Sequence, residues 1–309
     1  MRLRWLLIGL LVGVVSPLFA QSSVLSIGVR GGGQLWLCTP TDAKTTTLGN
    51  GAGGNGVLDL RYSLYGLMAD DRVGFGFLLG AGIGYGGTAI KGTQTGAFTN
   101  TDYLGNKLDY TTNLTFSRAE RYATGELSLM LAFGAGGFTL NIGPRFMAPF
   151  GVSTTQTITD ATIDAYLEPY DVHIVNEAIT GKLATPYAVD TFPSVVPPYH
   201  LLLAIEAGWE FAVSRSNNGR LGVQLYTNIG LWSQATSMQA KTSLLTVGAI
   251  EAEDRDPEVK VHDSAGLIAG RKYLDFGVRL YYAFPVGAKK KMRQTGSSDA
   301  NQHKNRYLW

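Results

Sequence analysis

Ten charged residues sit at alternate positions of otherwise apolar stretches: Arg30, Asp59, Arg61, Glu126, Arg145, Glu206, Glu210, Arg220, Asp275 and Arg279. Five are arginines and five are carboxylates. An isolated charge in an apolar surrounding is prohibitively costly, so a balanced set on one kind of face implies mutual pairing in an enclosed space. Other reactive residues are sparse. His262, Asp263 and Ser264 are consecutive, and consecutive residues of an extended chain cannot converge on one another as a triad. His173 follows Asp171, and both sets read as ordinary polar loop residues. The acidic run EAEDRDPEVKVHD (251–263) lacks the Asp-x-Asp-x-Asp-Gly calcium pattern and reads as a solvated loop. Cys38 is the sole cysteine, which excludes an internal disulfide or a cysteine metal cluster. No catalytic residue, metal or cofactor is expected.

The elements that carry the ten charges share a period of two. The stretch RVGFGFLLGAGIGYG (72–86) places Val73, Phe75, Phe77, Leu79, Ala81, Ile83 and Tyr85 on one face and mostly glycine on the other. Its interior glycines would each cost a helix about 1 kcal/mol, and GFGFLLGAG lacks the GxGxxG spacing of a nucleotide loop. Seven more segments alternate in the same way: 24–37, 58–65, 122–133, 138–146, 200–213, 220–231 and 273–284. Their apolar faces carry no charge, and each segment has about the 9 to 11 residues that a tilted membrane-crossing strand needs.

The first twenty residues, MRLRWLLIGLLVGVVSPLFA, have the layout of a secretory signal peptide, with Arg2 and Arg4 ahead of a short apolar run. The mature chain is expected to start near Gln21, to form one barrel over 21–286, and to end in a short basic and polar periplasmic tail over 287–309. The formal charge of +2 falls to zero without Arg2 and Arg4, which leaves no basic surplus for nucleic acid.

Connections between the segments alternate. MADD (68–71), GAGG (134–137) and SRSNNG (214–219) are tight, whereas 38–56, 87–121, 151–198 and 235–270 are long and polar. A soluble sandwich also alternates, but has no reason to gather its long loops at one end. The expected fold is therefore all-β: an eight-stranded antiparallel transmembrane barrel with short periplasmic turns and long extracellular loops. Within it the glycine face of 72–86 leaves room for arginines and tyrosines from across the lumen. Aromatic girdles are expected at Trp36, Tyr85, Tyr199, Trp232 and Tyr273 on the loop side, and at Phe133, Phe138, Trp209, Phe211 and Phe284 on the turn side. Pro144 cannot donate a ladder hydrogen bond, so a bulge or an early end to pairing is expected there.

Over roughly 24–286 the chain resembles the small eight-stranded outer-membrane barrels of the OmpA and OmpX type, and YLDFGVRLYYAF resembles the last strand that the family's assembly machinery recognises. The resemblance is architectural. It implies a bacterial outer-membrane location, contact with outer-membrane lipid, and a tail too short to be the peptidoglycan-binding domain of longer members.

Fold does not give function. The leading expectation is a non-enzymatic barrel with a side-chain-plugged lumen, acting through its external loops or as an envelope scaffold or accessory subunit of a secretion or assembly complex. Segments 108–116 and 154–163 alternate beyond the membrane span and read as strands that extend hairpins above the surface, able to recruit partners by strand addition or simply to shield the mouth. The alternative is a lipid-modifying acyltransferase or deacylase, because some barrels of this size resemble such enzymes. An open channel is not expected, since the lumen is only wide enough for side chains and the paired ions would obstruct flow. Lys289, Lys290, Lys291 and Arg293 read as a solvated tail, with anionic lipid the other reading. Ligand, partner and oligomeric state are left open.

Overall fold

Alternation at period two builds strands, and strands they are. The structure, a computed structural model, describes residues 22–67, 73–167, 171–178, 199–213, 219–235, 245–247, 259–261 and 263–286. The signal segment, the basic tail, His262, the MADD turn and all but Gly219 of SRSNNG lie outside the described residues. The strands are β1 (Ser22–Pro40), β2 (Thr46–Leu48), β3 (Gly51–Leu67), β4 (Val73–Thr101), β5 (Lys107–Ala135), β6 (Phe138–Leu167), β7 (Val172–Ala178), β8 (His200–Ala212), β9 (Arg220–Gly230), β10 (Gln234–Ala235), β11 (Leu245–Val247), β12 (Val259–Val261) and β13 (Ile268–Pro285). A 3₁₀ turn, Ser264–Leu267, leads into β13. Among the described residues no helix is long and apolar enough to cross a membrane.

Eight of these strands pair in the order β1-β3-β4-β5-β6-β8-β9-β13, and β1 pairs back to β13. All eight junctions are antiparallel, so the sheet is a ring with no free edge along its paired length. Each alternating segment falls on one ring strand. The side-chain period sends Ser26, Arg30, Asp59, Arg61, Glu126, Asn141, Arg145, Glu206, Gln224, Asn228, Asp275 and Arg279 inward, where all are buried. Ile27, Val29, Leu58, Leu60, Phe77, Leu79, Ile83, Leu127, Leu129, Leu225, Val278 and Leu280 point out and are exposed.

The β5–β6 turn shows why glycine is needed locally. Ala135 pairs with Phe138 across the two-residue loop Gly136–Gly137, whose φ angles are 57° and 93°. Those positive values at both central positions are the requirement of a hairpin turn that matches strand twist.

Three strands run far past the ring. β4, β5 and β6 are 29, 29 and 30 residues long, and β4 pairs with β5 without a break from Val73↔Ala135 to Thr101↔Lys107. The segments 108–116 and 154–163 lie on the same long strands as the ring and extend its hairpins. At about 3.3 Å per residue, the β4 stretch 87–101 extends this sheet by roughly 45–50 Å. β2 pairs with one flank of the extension along β4, and β7 with the other along β6. At the tip, the Asp102 carboxylate accepts from the backbone N–H of Leu104 at 2.9 Å and of Asn106 at 2.8 Å, closing the loop between Thr101 and Lys107.

Pro144 does not create a bulge. The β5–β6 ladder lapses between Ser128↔Arg145 and Leu131↔Ile142 but resumes in the same register, while Pro144 keeps its pairing with Leu203 on β8. A missing N–H removes a bond without adding a residue, so the register survives. The two real shifts are between Thr115 and Phe116 and between Arg121 and Ala123, both higher on β5. At the second, β6 carries Gly151 with φ of 61°.

Candidate functional site

The lumen is filled by an ionic layer built from six strands. Arg61 on β3 donates from Nη2 to Glu206 Oε1 on β8 at 2.9 Å and from Nη1 to Glu206 Oε2, and also reaches Asp59 Oδ2 at 3.1 Å. β3 and β8 stand four places apart in a ring of eight, so the first pair spans the lumen. Arg145 on β6 donates to Glu206 Oε1 at 2.6 Å and to Asn228 Oδ1 at 2.7 Å, with its Nε 3.7 Å from Glu126. Arg30 on β1 pairs with Glu126 on β5 and lies 5.1 Å from the centre of the Tyr226 ring. Arg279 on β13 reaches Asp59 through Nη2 at 2.6 Å and through Nε at 3.0 Å. These seven side chains form one connected set in which Arg61 and Glu206 are 2% and 0% exposed.

Asp275 makes no ion pair among the described residues. Its Oδ2 accepts instead from Asn55 at 2.9 Å, Asn228 at 3.0 Å and the Tyr273 hydroxyl at 2.8 Å, and Asn228 links it to Arg145. The layer therefore holds four guanidinium groups and four carboxylates, a formal balance that lets charges stay buried. Glu210 and Arg220 stand apart from the layer as their own pair, 3.2 Å apart, with Tyr281 donating to Glu210 at 2.9 Å. They line a cavity of about 40 Å³, large enough for a water or so, together with Ser63, Tyr65, Thr139 and Gln224.

The glycine face on β4 serves near neighbours rather than residues from the opposite wall. A Cβ at Gly80 would lie 3.2 Å from Arg61 Cγ and 2.5 Å from Ser128 Oγ, and one at Gly74 would meet the Tyr65 ring at 3.3 Å. Arg61 is paired with Gly80 in register, so the missing side chain is the space through which Arg61 turns toward Glu206.

The loop-side girdle needs correcting. Tyr85, Tyr199 and Trp232 are exposed, but Trp36 and Tyr273 face inward and are buried with Tyr122, Met147 and Leu202 in an apolar cluster above the ionic layer. Trp36 meets Tyr273 and His200 edge-on, with ring centres 5.0 Å apart in each case. Both have the parity of the polar face, and parity, not aromatic character, decides the side.

A second buried ionic cluster lies higher, and sequence reasoning did not find it. Arg271 donates to both oxygens of Glu120, at 2.5 and 3.1 Å, and Arg118 donates to Glu120 Oε1 at 2.7 Å and pairs with Asp263. Burial alone would raise the Glu120 carboxyl, but the Arg271 and then the Arg118 guanidinium outweigh it and hold it below its ordinary range. Asp263 and Ser264, expected to be ordinary loop residues, are buried here. The legible signal was the parity of Arg118 and Glu120 with Glu126 along β5; the loop partner carries no period at all. His173 is exposed on β7 and stacks on Tyr166, 4.4 Å between ring centres. Among the described residues no group of three or more His, Cys, Asp or Glu is placed to hold a metal ion.

No protein-family model matches this chain, and no curated protein does. Solved structures do align. The outer-membrane protease OmpT of Escherichia coli covers 86% of this chain and 97% of its own at 8% identity, with a TM-score of 0.20. The translocator domain of the autotransporter NalP of Neisseria meningitidis covers 90% and 94% at 9% identity, with a TM-score of 0.22. At such scores neither transfers a residue role or an activity to this chain. The absence of a family match leaves the OmpA/OmpX likeness purely architectural. The expectation of a chain without enzymatic activity is corrected to an open one: the aligned structures include a protease.

Proposed function

We propose that this chain is an outer-membrane β-barrel whose eight ring strands cross the bilayer, whose lumen is closed by its ion pairs, and whose β4–β5–β6 extension stands outside the cell as the working surface. In this reading the Gly136–Gly137 turn faces the periplasm and the tip at Asp102–Asn106 faces outward. The extension offers its flanks to an envelope or assembly partner, or acts as a scaffold wall around the mouth.

The observation that supports it is the outer face of the ring. From Phe75, Trp209 and Phe211 at the turn end to Tyr85, Tyr199 and Trp232 at the loop end, every ring strand presents uncharged and mostly apolar residues outward, many of them more than half exposed. A soluble protein rarely shows a continuous apolar surface of more than a few hundred Å². Hydrocarbon is the solvent that such a band suits, and a closed ring pairs its backbone groups internally except at the lapse beside Pro144. Charges return outward only past the band, at Arg121 and Lys272.

Cell fractionation tests this reading. The chain should stay with outer membranes through an alkaline wash and migrate faster on gels unheated than boiled. Release into the soluble fraction would contradict it.

A further inference from the structure

The cluster at the mouth contains a carboxylate that belongs to a loop, on a receptor that belongs to the barrel. Arg118 and Glu120 are on β5 and Arg271 is on β13, all fully buried. Asp263 comes to them from the chain just before the Ser264–Leu267 turn. Its Oδ1 takes a hydrogen bond from Arg118 Nη1 and another from the Ala265 N–H at 2.8 Å. The turn is held further by Ser264 N–H donating to Gln156 Oε1 at 2.7 Å and by Thr41, whose N–H and hydroxyl donate to Leu267 O at 2.8 Å and Gly266 O at 3.0 Å.

Two features characterise this cluster. First, the receptor is cationic without the loop: Arg118 and Arg271 face the single carboxylate of Glu120, and Asp263 supplies the second negative charge. Second, the cluster is rich in unspent polar atoms. Among the described residues, Arg118 Nη2, Arg271 Nε, Asp263 Oδ2 and Ser264 Oγ are buried without a hydrogen-bond partner, as are the hydroxyls of Thr88 and Thr154, which flank Glu120 in register on β4 and β6. Buried polar atoms are normally satisfied; the layer below has its own exceptions at Arg30 Nε and Nη1, Asn141 Oδ1 and Asp275 Oδ1, but here six gather around an excess of positive charge, which marks a place shaped for hydrogen-bonding occupants.

We propose that the mouth is a binding site for a small carboxylate, and that Asp263 fills it from within as a tethered occupant. The 264–267 turn is then a lid fastened by an internal ligand. A free carboxylate that takes the place on Arg118 would release Asp263 and, with it, the lid. The planar donor fork of Arg118 suits a carboxylate, and the vacated space is that of a carboxylate on a short stem.

The test is replacement of the tethered carboxylate by a free one. Asp263→Ala and Asp263→Asn, with the full chain refolded in detergent, are titrated with sodium formate against sodium chloride and sodium phosphate at equal ionic strength, and thermal unfolding is followed by heat-modifiable gel mobility. Formate should stabilise Asp263→Ala, at about 100 times its Kd by about 100-fold in the folding equilibrium. Asp263→Asn, whose amide still fills the space, should respond less. Wild type should respond to formate more weakly than Asp263→Ala, since formate must first displace the tethered carboxylate, and the double variant Asp263→Ala, Arg118→Ala should respond to formate no more than to chloride. Equal responses to formate and chloride in Asp263→Ala, or equal formate responses in the double variant, would overturn the proposal. So would a preference for phosphate, or failure of both single variants to fold even in formate, since a free carboxylate should restore the missing contact.

Discussion

Arg61 and Glu206 meet across the full width of the ring, two guanidinium nitrogens on two carboxylate oxygens, from strands that are never neighbours. A cross-lumen pair of this kind ties opposite walls together and occupies the space an ion would need. Truncating Arg61 to alanine leaves Glu206 and Asp59 each with one arginine fewer in a buried site. The expected cost is on the order of 3 to 5 kcal/mol. It should be at least that of Arg145→Ala, because Arg145 has one close carboxylate at 2.6 Å and a looser one at 3.7 Å. Urea unfolding in lipid vesicles measures both.

The outer face should obey the opposite rule. Leu129 is 46% exposed on the ring exterior, so Leu129→Ala should cost less than either arginine truncation, since lipid fills the vacated space. Leu129→Arg should cost about 2 to 4 kcal/mol if the residue lies near the bilayer midplane. The same unfolding assay separates the two, and a neutral Leu129→Arg would argue that this face meets water.

Much of this was legible because a strand has a period of exactly two residues per repeat of its faces, and ten charges obey it. Register was not legible: that Arg61 faces Gly80 and reaches Glu206 depends on pairings no alternation can specify. Trp36 and Tyr273 were misplaced when a girdle was read from residue type; their parity with Gln34 and Asp275 placed them inside. Strand β4 beyond Tyr85 faded from view because its outward residues turn to glycine, alanine, lysine and threonine, which lowers the contrast between faces. Asp263 was out of reach altogether, since a loop residue has no period, and its burial follows from Arg118 being there to receive it.

Acid should loosen the mouth. The Glu120 carboxyl is held below its ordinary value of 4.5, so ionised Glu120 contributes stability that is full above that value and is lost as the pH falls through the lower folded-state value. Urea midpoints of wild type should therefore fall more steeply below pH of about 4.5 than those of Glu120→Gln, which starts lower and has no such group to protonate. Parallel curves for the two would contradict the assignment.

Topology gives a further expectation. A tag inserted at Asn106 or beside Asp164 should be reachable by antibody on intact cells, and one placed between Gly136 and Gly137 only after the outer membrane is broken. Labelling of the 136–137 turn on unbroken cells would invert the orientation.

The proposed closure of the lumen is tested most directly by steady ionic conductance of the purified wild-type chain in planar bilayers. A lumen crossed by Arg61–Glu206 and filled by the surrounding arginines and carboxylates predicts insertion without a steady conductance step. A stable, ohmic conductance from correctly folded wild-type protein would contradict it, showing water and ions passing where the ion pairs are placed.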